Sequence, residues 1–188
     1  MATTAEIRNG LCIRHNEKLF QIIEFQHVKP GKGPAFVRTK MRQIESGRVI
    51  ENTFSAGHKI EIVRIENREY QYLYQEPESF VFMNNESYEQ VNIPLKMVEK
   101  PGFLQEGMIA NILFHAEEEM ALVVELPMYI TAEVSYTEPG VKGDTATNSM
   151  KLATISTGAE VKVPLFISIG EMIKVDTRTG IYVERVKS

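Results

Sequence analysis

The sequence lacks several features that would define its class at once. Among 188 residues there is one cysteine, Cys12, so neither an internal disulfide framework nor a Cys-rich metal site is possible. Cys12 lies in the apolar run 11–13, which predicts a buried thiol. No stretch approaches the ~20 consecutive apolar residues needed to cross a bilayer, and the start, MATTAEIRNG, carries neither a basic leader nor an apolar segment. We therefore expect a cytoplasmic protein with no membrane contact.

Groupings that support catalysis or metal binding are also missing. The four histidines are scattered, without an HExxH motif or cysteine partners: His15, His27, His58 and His115. No Ser/His/Asp or Cys/His order indicates a nucleophile. The glycines near Lys32 match neither a Walker loop nor GxGxxG, whose third glycine position holds Phe36. We expect a protein that is not an enzyme and needs no metal or cofactor.

Charge is divided unevenly along the chain. The net charge is −4, but residues 1–64 hold 11 Lys+Arg against 6 acids, residues 65–127 hold 3 against 12, and residues 128–188 hold 7 against 7. The net charges of the three parts are thus +5, −9 and 0. This asymmetry favours a basic module that meets RNA, joined to an acidic module that avoids it. On charge alone, a chance distribution of solvated residues is an equally good interpretation.

Apolar residues alternate in short runs, with turn residues every ~8 to 12 positions, a pattern typical of all-β proteins. We predict three small barrels in tandem, at residues 1–64, 65–127 and 128–188, with boundaries at the charge shifts and at Pro127. The strands predicted for the first are Leu11–Arg14, Leu19–Val28, Ala35–Ile44, Arg48–Phe54 and Lys59–Ile65. For the second they are Tyr70–Tyr74, Phe80–Met83, Ser87–Val91, Met108–Phe114 and Ala121–Leu126, with a helical turn in Pro94–Leu104. For the third they are Tyr129–Tyr136, Lys151–Ile155, Glu160–Ile167, Met172–Asp176 and Ile181–Val186.

The segment Lys29-Pro30-Gly31-Lys32-Gly33-Pro34-Ala35 predicts a hairpin tip between two strands. Pro30 and Pro34 restrict φ and remove two N–H donors, while Gly31 and Gly33 can adopt positive φ and leave Lys32 without bulky neighbours. The tip therefore presents one long cation that can approach a phosphate or a carbonyl. From these seven residues alone, an ordinary solvated turn lysine is the favoured interpretation.

A basic stripe follows the tip. Phe36, Arg38, Lys40 and Arg42 alternate with Val37, Thr39 and Met41, so on a regular strand the first set shares one face and the second set the other. The first face suits a ribose-phosphate backbone, although a solvated strand face has the same pattern.

A long polar loop occupies residues 138–148, with Gly143, Asp144 and Thr145 in a row. Small polar residues allow close hydrogen bonding to nucleic acid, and loops of this kind also occur on β-barrels without a function.

Three segments together resemble bacterial translation elongation factor P: KPGKGPAF at 29–36, FMNNESYEQ at 82–90, and PGVKGDTATNSMKLATISTGAEVKVPLFISIGEMIKVDTRTGIYVERV at 139–186. The likeness spans nearly the whole chain. Lys32 stands where the family carries its functional lysine, and a related paralogue family usually lacks both this tip and the Gly-Asp-Thr sequence. The resemblance is thus to the factor itself.

The resemblance implies an SH3-like first barrel and two OB-type barrels in an L-shaped molecule that imitates tRNA. It implies a monomer that binds the 70S ribosome between the peptidyl and exit sites and relieves stalling at consecutive prolines. It places Lys32 near the CCA end of peptidyl-tRNA, Gly143, Asp144 and Thr145 near the exit-site codon, and Tyr182 and Arg185 on the side facing the small subunit. It also implies a possible lysine-modifying enzyme as a partner.

The alternative function is a general RNA-binding or RNA-chaperone protein built from OB-type barrels. Such a protein stacks bases on exposed aromatic side chains. Tyr70, Tyr72, Tyr74 and Phe82 are the aromatic candidates, but their alternation with polar residues is more typical of a core face.

Overall fold

The computed structural model describes residues 2–139 and 150–186. These residues form sixteen strands and three single turns of 3-10 helix, and the expected all-β class is confirmed. By backbone contacts the chain divides into two compact units, residues 1–67 with 113–123, and residues 68–112 with 124–188. This division into two units differs from the three predicted barrels at residues 1–64, 65–127 and 128–188. The boundaries of those barrels remain a prediction.

Six strands near the N-terminus form one sheet in the order β1-β6-β2-β3-β4-β5, here the N-terminal sheet. Long β3 and β4 pair as an antiparallel hairpin along most of their length, with a register shift between Ile22 and Glu24. The core beneath the sheet includes Ile13, Ile22, Val37 and Met41, each at most 1% exposed. The strands are β1 (Ala2–Thr3), β2 (Cys12–His15), β3 (Lys18–Val28), β4 (Phe36–Gln43), β5 (Val49–Ser55) and β6 (Lys59–Ile62).

The second sheet has five strands in the order β11-β10-β7-β8-β9. Its bounds are β7 (Ile65–Gln75), β8 (Ser79–Asn84), β9 (Gln90–Pro94), β10 (Ile109–His115) and β11 (Met120–Glu125). The helical segment predicted at Pro94–Leu104 consists of two separate 3-10 turns, Leu95–Met97 and Pro101–Phe103, because residues 98–100 between them leave the helical conformation.

The prediction of a strand at Ser87–Val91 is wrong for its first three residues. The Asn84 side chain accepts hydrogen bonds from the backbone N–H groups of Glu86 and Ser87, at 2.7 and 3.0 Å, and so builds a turn there. Tyr88 adopts φ +61°, in the left-handed region that interrupts a strand. Strand β9 therefore begins only at Gln90.

The last five strands close into a barrel in the order β12-β13-β14-β16-β15, here the C-terminal barrel. Its core is aliphatic and includes Val134, Ile155, Val163 and Ile173, all fully buried. Phe103, from the 3-10 turn before the second sheet's β10, packs into this same core. The strands are β12 (Tyr129–Thr137), β13 (Met150–Ile155), β14 (Glu160–Pro164), β15 (Met172–Asp176) and β16 (Ile181–Arg185).

Candidate nucleic-acid interface

The β3–β4 hairpin carries the segment 29–35, here the Lys32 loop, at its end. Val28 pairs with Phe36 at the last rung of the hairpin, so the seven loop residues connect two paired strands as predicted. Gly33 has φ +109°, which only glycine adopts without strain. The sequence allowed positive φ at both glycines, but Gly31 does not use it. The loop is tied down at its far end, where the Ala56 N–H donates to the Ala35 carbonyl at 2.9 Å.

Residues 29–34 of the loop are all exposed, and the central cation is Lys32. Within the part of the chain that the structure describes, Lys32 makes no hydrogen bond or ion pair. Its ammonium group can donate three hydrogen bonds to an external acceptor. The loop thus presents an exposed cation.

Strand β4 separates its side chains as the alternation predicts. Val37, Thr39 and Met41 are 1%, 3% and 0% exposed, so they form the inner face. The Thr39 hydroxyl donates to the Asn52 carbonyl at 3.0 Å, which satisfies the polar member of that buried row. The residues between them lie on the outer face, here the basic face: Phe36, Arg38, Lys40 and Arg42.

The three cations of the basic face have different neighbours. Lys40 lies between Glu24 of β3 and Glu51 of β5 in the strand register, and its Nζ is 3.4 Å from Glu24 Oε1. Much of its charge is therefore offset within the sheet.

Arg38 and Arg42 are opposite uncharged residues on both sides. Arg38 pairs with Gln26 and Thr53, and its guanidinium carbon is 5.4 Å from the centre of the Phe36 ring. Arg42 pairs with Gln21 and Val49. Neither makes an ion pair with any of residues 2–139 and 150–186. These two arginines are therefore the cations of the basic face that remain available to a phosphate.

A shallow groove of about 420 Å³ runs along this surface of β3, β4 and β5. Its lining includes the cations Arg38 and Lys40, the carboxylates Glu24 and Glu51, and neutral hydrogen-bonding groups. Because the two carboxylates repel phosphate and face Lys40, Arg38 is the cation of this groove best placed to bind a phosphate.

The C-terminal residues that the resemblance singles out are in different surroundings. Tyr182 is half-buried against the barrel core, with its ring edge-on to exposed Phe166 at 6.4 Å. Arg185 donates to Glu171 Oε1 at 2.9 Å. The Gly143, Asp144 and Thr145 positions lie outside the described residues. Tyr182 and Arg185 are therefore already engaged within the barrel.

The aromatic candidates for base stacking are mostly core residues, as the alternation predicts. Tyr70, Tyr72 and Phe82 are 7%, 8% and 0% exposed, and only Tyr74 of this set is exposed. Buried rings cannot stack on bases, so this surface does not favour the RNA-chaperone alternative.

One feature of residues 1–67 is not evident from the sequence. The rings of His15 and His58 both contact Phe54, at 5.5 and 5.6 Å between ring centres. Cys12 is buried as predicted, and its burial raises the pKa of the thiol. Among the described residues, no cluster of three or more His, Cys, Asp or Glu side chains is arranged to hold a metal ion.

Comparison with known proteins decides the family. Sequence models of elongation factor P match nearly the whole chain: the KOW-like domain at residues 3–60, the OB domain at 65–123 and the C-terminal domain at 130–185. The chain belongs to the elongation factor P family. It is accordingly a translation elongation factor, with a KOW-like N-terminal domain and two OB-fold domains.

Bacterial relatives match from end to end. Elongation factor P of Flavobacterium psychrophilum is 56% identical over 187 residues, and the alignment covers all of both chains. Elongation factor P of Flavobacterium johnsoniae and elongation factor P 1 of Porphyromonas gingivalis are each 52% identical, again with full coverage of both chains.

Solved structures share the fold at low identity. Eukaryotic translation initiation factor 5A from Methanococcus jannaschii matches 67% of this chain and 90% of its own, with a TM-score of 0.50 and 20% identity. A translation initiation factor eIF-5A family protein from Naegleria fowleri matches 66% of this chain and 96% of its own, with a TM-score of 0.51 and 15% identity.

Across the described residues, no helix is long and apolar enough to span a bilayer.

Proposed function

We propose that this chain binds the 70S ribosome between the peptidyl and exit sites, positions peptidyl-tRNA and promotes peptide-bond formation, so relieving stalls at consecutive prolines. The observation that carries the proposal is Lys32, exposed at the end of a hairpin and without an internal partner among the described residues. Membership in a translation elongation factor family supports it.

The proposed mechanism is positional. Proline is a constrained and poor substrate, so a peptidyl-tRNA that leaves its attack geometry loses rate, and holding the reactants in register restores it. Lys32 reaches toward the CCA end, where its ammonium group hydrogen-bonds to phosphate or carbonyl oxygens. The ribosome performs the chemistry, and the factor itself is not an enzyme.

The basic face holds the tRNA backbone while Lys32 acts at the CCA end. Arg38 and Arg42 supply the phosphate contacts, since both lack an ion-pair partner within the described chain. Lys40 contributes less, because Glu24 already lies 3.4 Å from its Nζ. The net charge of −9 on residues 65–127 limits nonspecific binding of RNA by the middle of the chain.

Contacts with the small subunit come from the C-terminal domain in this proposal. Gly143, Asp144 and Thr145 lie near the exit-site codon, and Tyr182 and Arg185 face the small subunit. Arg185 must then exchange Glu171 for an RNA phosphate or bind through both at once. The protein acts as a cytoplasmic monomer.

A lysine-modifying enzyme is the remaining proposed partner. The primary amine of Lys32 sits on a narrow, exposed loop that an enzyme cleft can enclose. An adduct on this amine lengthens the arm and extends its reach into the ribosome. The intact mass of the protein isolated from its own cells reports the adduct directly.

The first prediction concerns Lys32→Ala. The variant should fold normally, because the side chain is exposed, and should lose most of the acceleration of Pro–Pro bond formation. The measurement is synthesis of a reporter with a proline run in a reconstituted translation system. Lys18→Ala is the matched control, since Lys18 is also an exposed lysine of the N-terminal sheet and lies off the hairpin tip. Equal read-through by the two variants would reject the role of Lys32.

A further inference from the structure

Arg14 is the centre of a polar cluster that none of the functions above uses. It lies on β2 of the N-terminal sheet, and its Nε donates to Glu61 Oε1 of neighbouring β6 at 2.9 Å. Its Nη2 donates to Glu118 Oε1 at 3.0 Å, in the turn between β10 and β11. One guanidinium therefore joins the N-terminal sheet to the β10–β11 hairpin.

His115, the last residue of β10, completes this cluster. It is only 3% exposed, and its Nδ1 accepts the backbone N–H of Glu118 at 3.2 Å. Because Nδ1 is the acceptor, the ring proton of a neutral His115 is on Nε2, which lies 3.3 Å from Glu118 Oε1. Arg14 Nη2 lies 3.0 Å from Glu118 Oε1 and 3.4 Å from His115 Nε2, so the three side chains form one contact group. Hydrogen bonding to Glu61, then the charge of Glu61 and the contact with Glu118, raise the pKa of Arg14, which keeps its charge.

Other contacts join the same two elements. The Ala116 N–H donates to the Arg64 carbonyl at 2.9 Å. Leu122 of β11 packs with Leu19 and Val63 in an apolar cluster. By backbone contacts, residues 113–123 fall in the same compact unit as residues 1–67. The hairpin is therefore attached to the N-terminal sheet by polar and apolar contacts together.

We propose that Arg14 is a positioning residue: it fixes the N-terminal sheet to the β10–β11 hairpin and so limits the directions from which the Lys32 loop is presented. The Arg14 contact acts together with the Ala116–Arg64 hydrogen bond and the packing of Leu122 against Leu19 and Val63, so the hairpin and the sheet keep one relative orientation. This inference rests on the proposed function, because positioning matters only if Lys32 acts at a fixed place on the ribosome.

The test compares Arg14→Met with Arg8→Met in the full chain. Methionine keeps the apolar stem and removes the forked donor group, while Arg8 is an exposed arginine of the same region whose loss changes the net charge equally. Hydrogen exchange followed by mass spectrometry reports the attachment. Arg14→Met should speed exchange at residues 113–123, including the Glu118 amide, and leave the buried Ile22 and Met41 amides protected. Protection at those two positions also shows that the variant is folded.

The functional arm measures the rate of Pro–Pro bond formation with the same variants. We expect Arg14→Met to slow Pro–Pro bond formation by roughly tenfold, because small errors in the position of a reacting or positioning group change rates by this order. Arg8→Met should leave the rate near that of the wild type. Arg14→Lys, which keeps the charge but not the fork, should fall between the two. The double variant Arg14→Met with Glu118→Gln should be little slower than Arg14→Met alone, because the two residues act through one contact.

Two results would overturn the proposal: unchanged exchange at residues 113–123 in Arg14→Met, or faster exchange there with a wild-type rate of Pro–Pro bond formation. Failure of the proposed function is a separate outcome. In that case Lys32→Ala stays fully active in the same assay, whatever the exchange of the hairpin shows.

Discussion

The arginines of the β3–β4 hairpin and those of the C-terminal barrel have different surroundings. In the barrel, Lys174, Arg178 and Arg185 each form an ion pair, with nitrogen–oxygen distances of 3.1, 2.7 and 2.9 Å. On the β3–β4 hairpin, Lys32, Arg38 and Arg42 form none with the described residues. RNA binding should therefore depend less on how many cations a surface holds than on how many of them lack a carboxylate partner within the protein.

This difference has a physical basis. A cation that is already paired with a carboxylate gains less from a phosphate, since it must give up or share its partner. Neutralising a phosphate also releases bound counterions, and this term grows with the number of unpaired cations brought to the RNA. The hairpin is thus suited to supply binding, whereas the paired cations of the barrel chiefly hold its own strands and turns together.

The largest predicted effect comes from reversing the two unpaired arginines. Arg38→Glu with Arg42→Glu should weaken ribosome binding by more than about tenfold at low salt, because the variant loses two phosphate contacts and gains two repulsions. The slope of log affinity against log salt should also become less steep by roughly 2. Filter binding over a salt series measures both quantities.

The matched comparison is Lys174→Glu with Arg178→Glu, which reverses two paired cations in the C-terminal barrel. Its salt slope should stay close to that of the wild type. If both double variants shift the slope equally, then pairing within the chain does not determine which cations meet RNA, and the contrast between the two regions fails.

The alternation of β4 could be predicted from the sequence, because side chains on a buried strand face must be apolar or must find hydrogen-bond partners inside the protein. Val37 and Met41 are apolar, and the Thr39 hydroxyl donates a hydrogen bond to the Asn52 carbonyl. It also located the hairpin tip, since Pro30, Gly33 and Pro34 disfavour a regular strand.

Contacts between residues that are far apart in the sequence could not be predicted from the hydrophobic pattern alone. The Lys40–Glu24 contact depends on a register shift between Ile22 and Glu24, which no local sequence signal marks. Arg14 meets Glu61 and Glu118 across 47 and 104 positions, so only the fold brings them together. Ion pairing of Arg185 likewise depends on the strand register, although the residue itself was named from the family resemblance.

A smaller effect is predicted for Lys40 alone. Lys40→Glu should weaken ribosome binding less than Arg38→Glu, because the charge of Lys40 is already offset by Glu24 and lies opposite Glu51. Glu24→Gln should then strengthen binding slightly by releasing Lys40. Equilibrium binding of the three single variants at one salt concentration tests the order, and an effect of Lys40→Glu equal to that of Arg38→Glu would show that this pairing has no influence.

The smallest predicted effect is on the pH dependence of stability, and it concerns the ion pair between Asp176 and Arg178 in the C-terminal barrel. A side-chain hydrogen bond from Arg178, helped by the backbone N–H of Arg178, lowers the pKa of Asp176 to about 2. A folded-state pKa below the unfolded value means that this carboxylate stabilises the fold at a pH above its usual pKa of 3.8. That contribution is lost as the pH falls from there through about 2.

Asp176→Asn should therefore lower the stability at neutral pH and, by about the same amount, reduce the loss of stability between pH 4 and pH 2, because asparagine does not ionise. Urea unfolding followed by circular dichroism over this pH range measures the difference. Glu160→Gln is a suitable control, since Glu160 is an exposed acid of the same barrel without an ion pair among the described residues. An identical pH profile for Asp176→Asn and the wild type would mean that the carboxylate is held no more tightly in the folded barrel than in the unfolded chain. Arg178 would then be as free to turn toward RNA as the arginines of the hairpin.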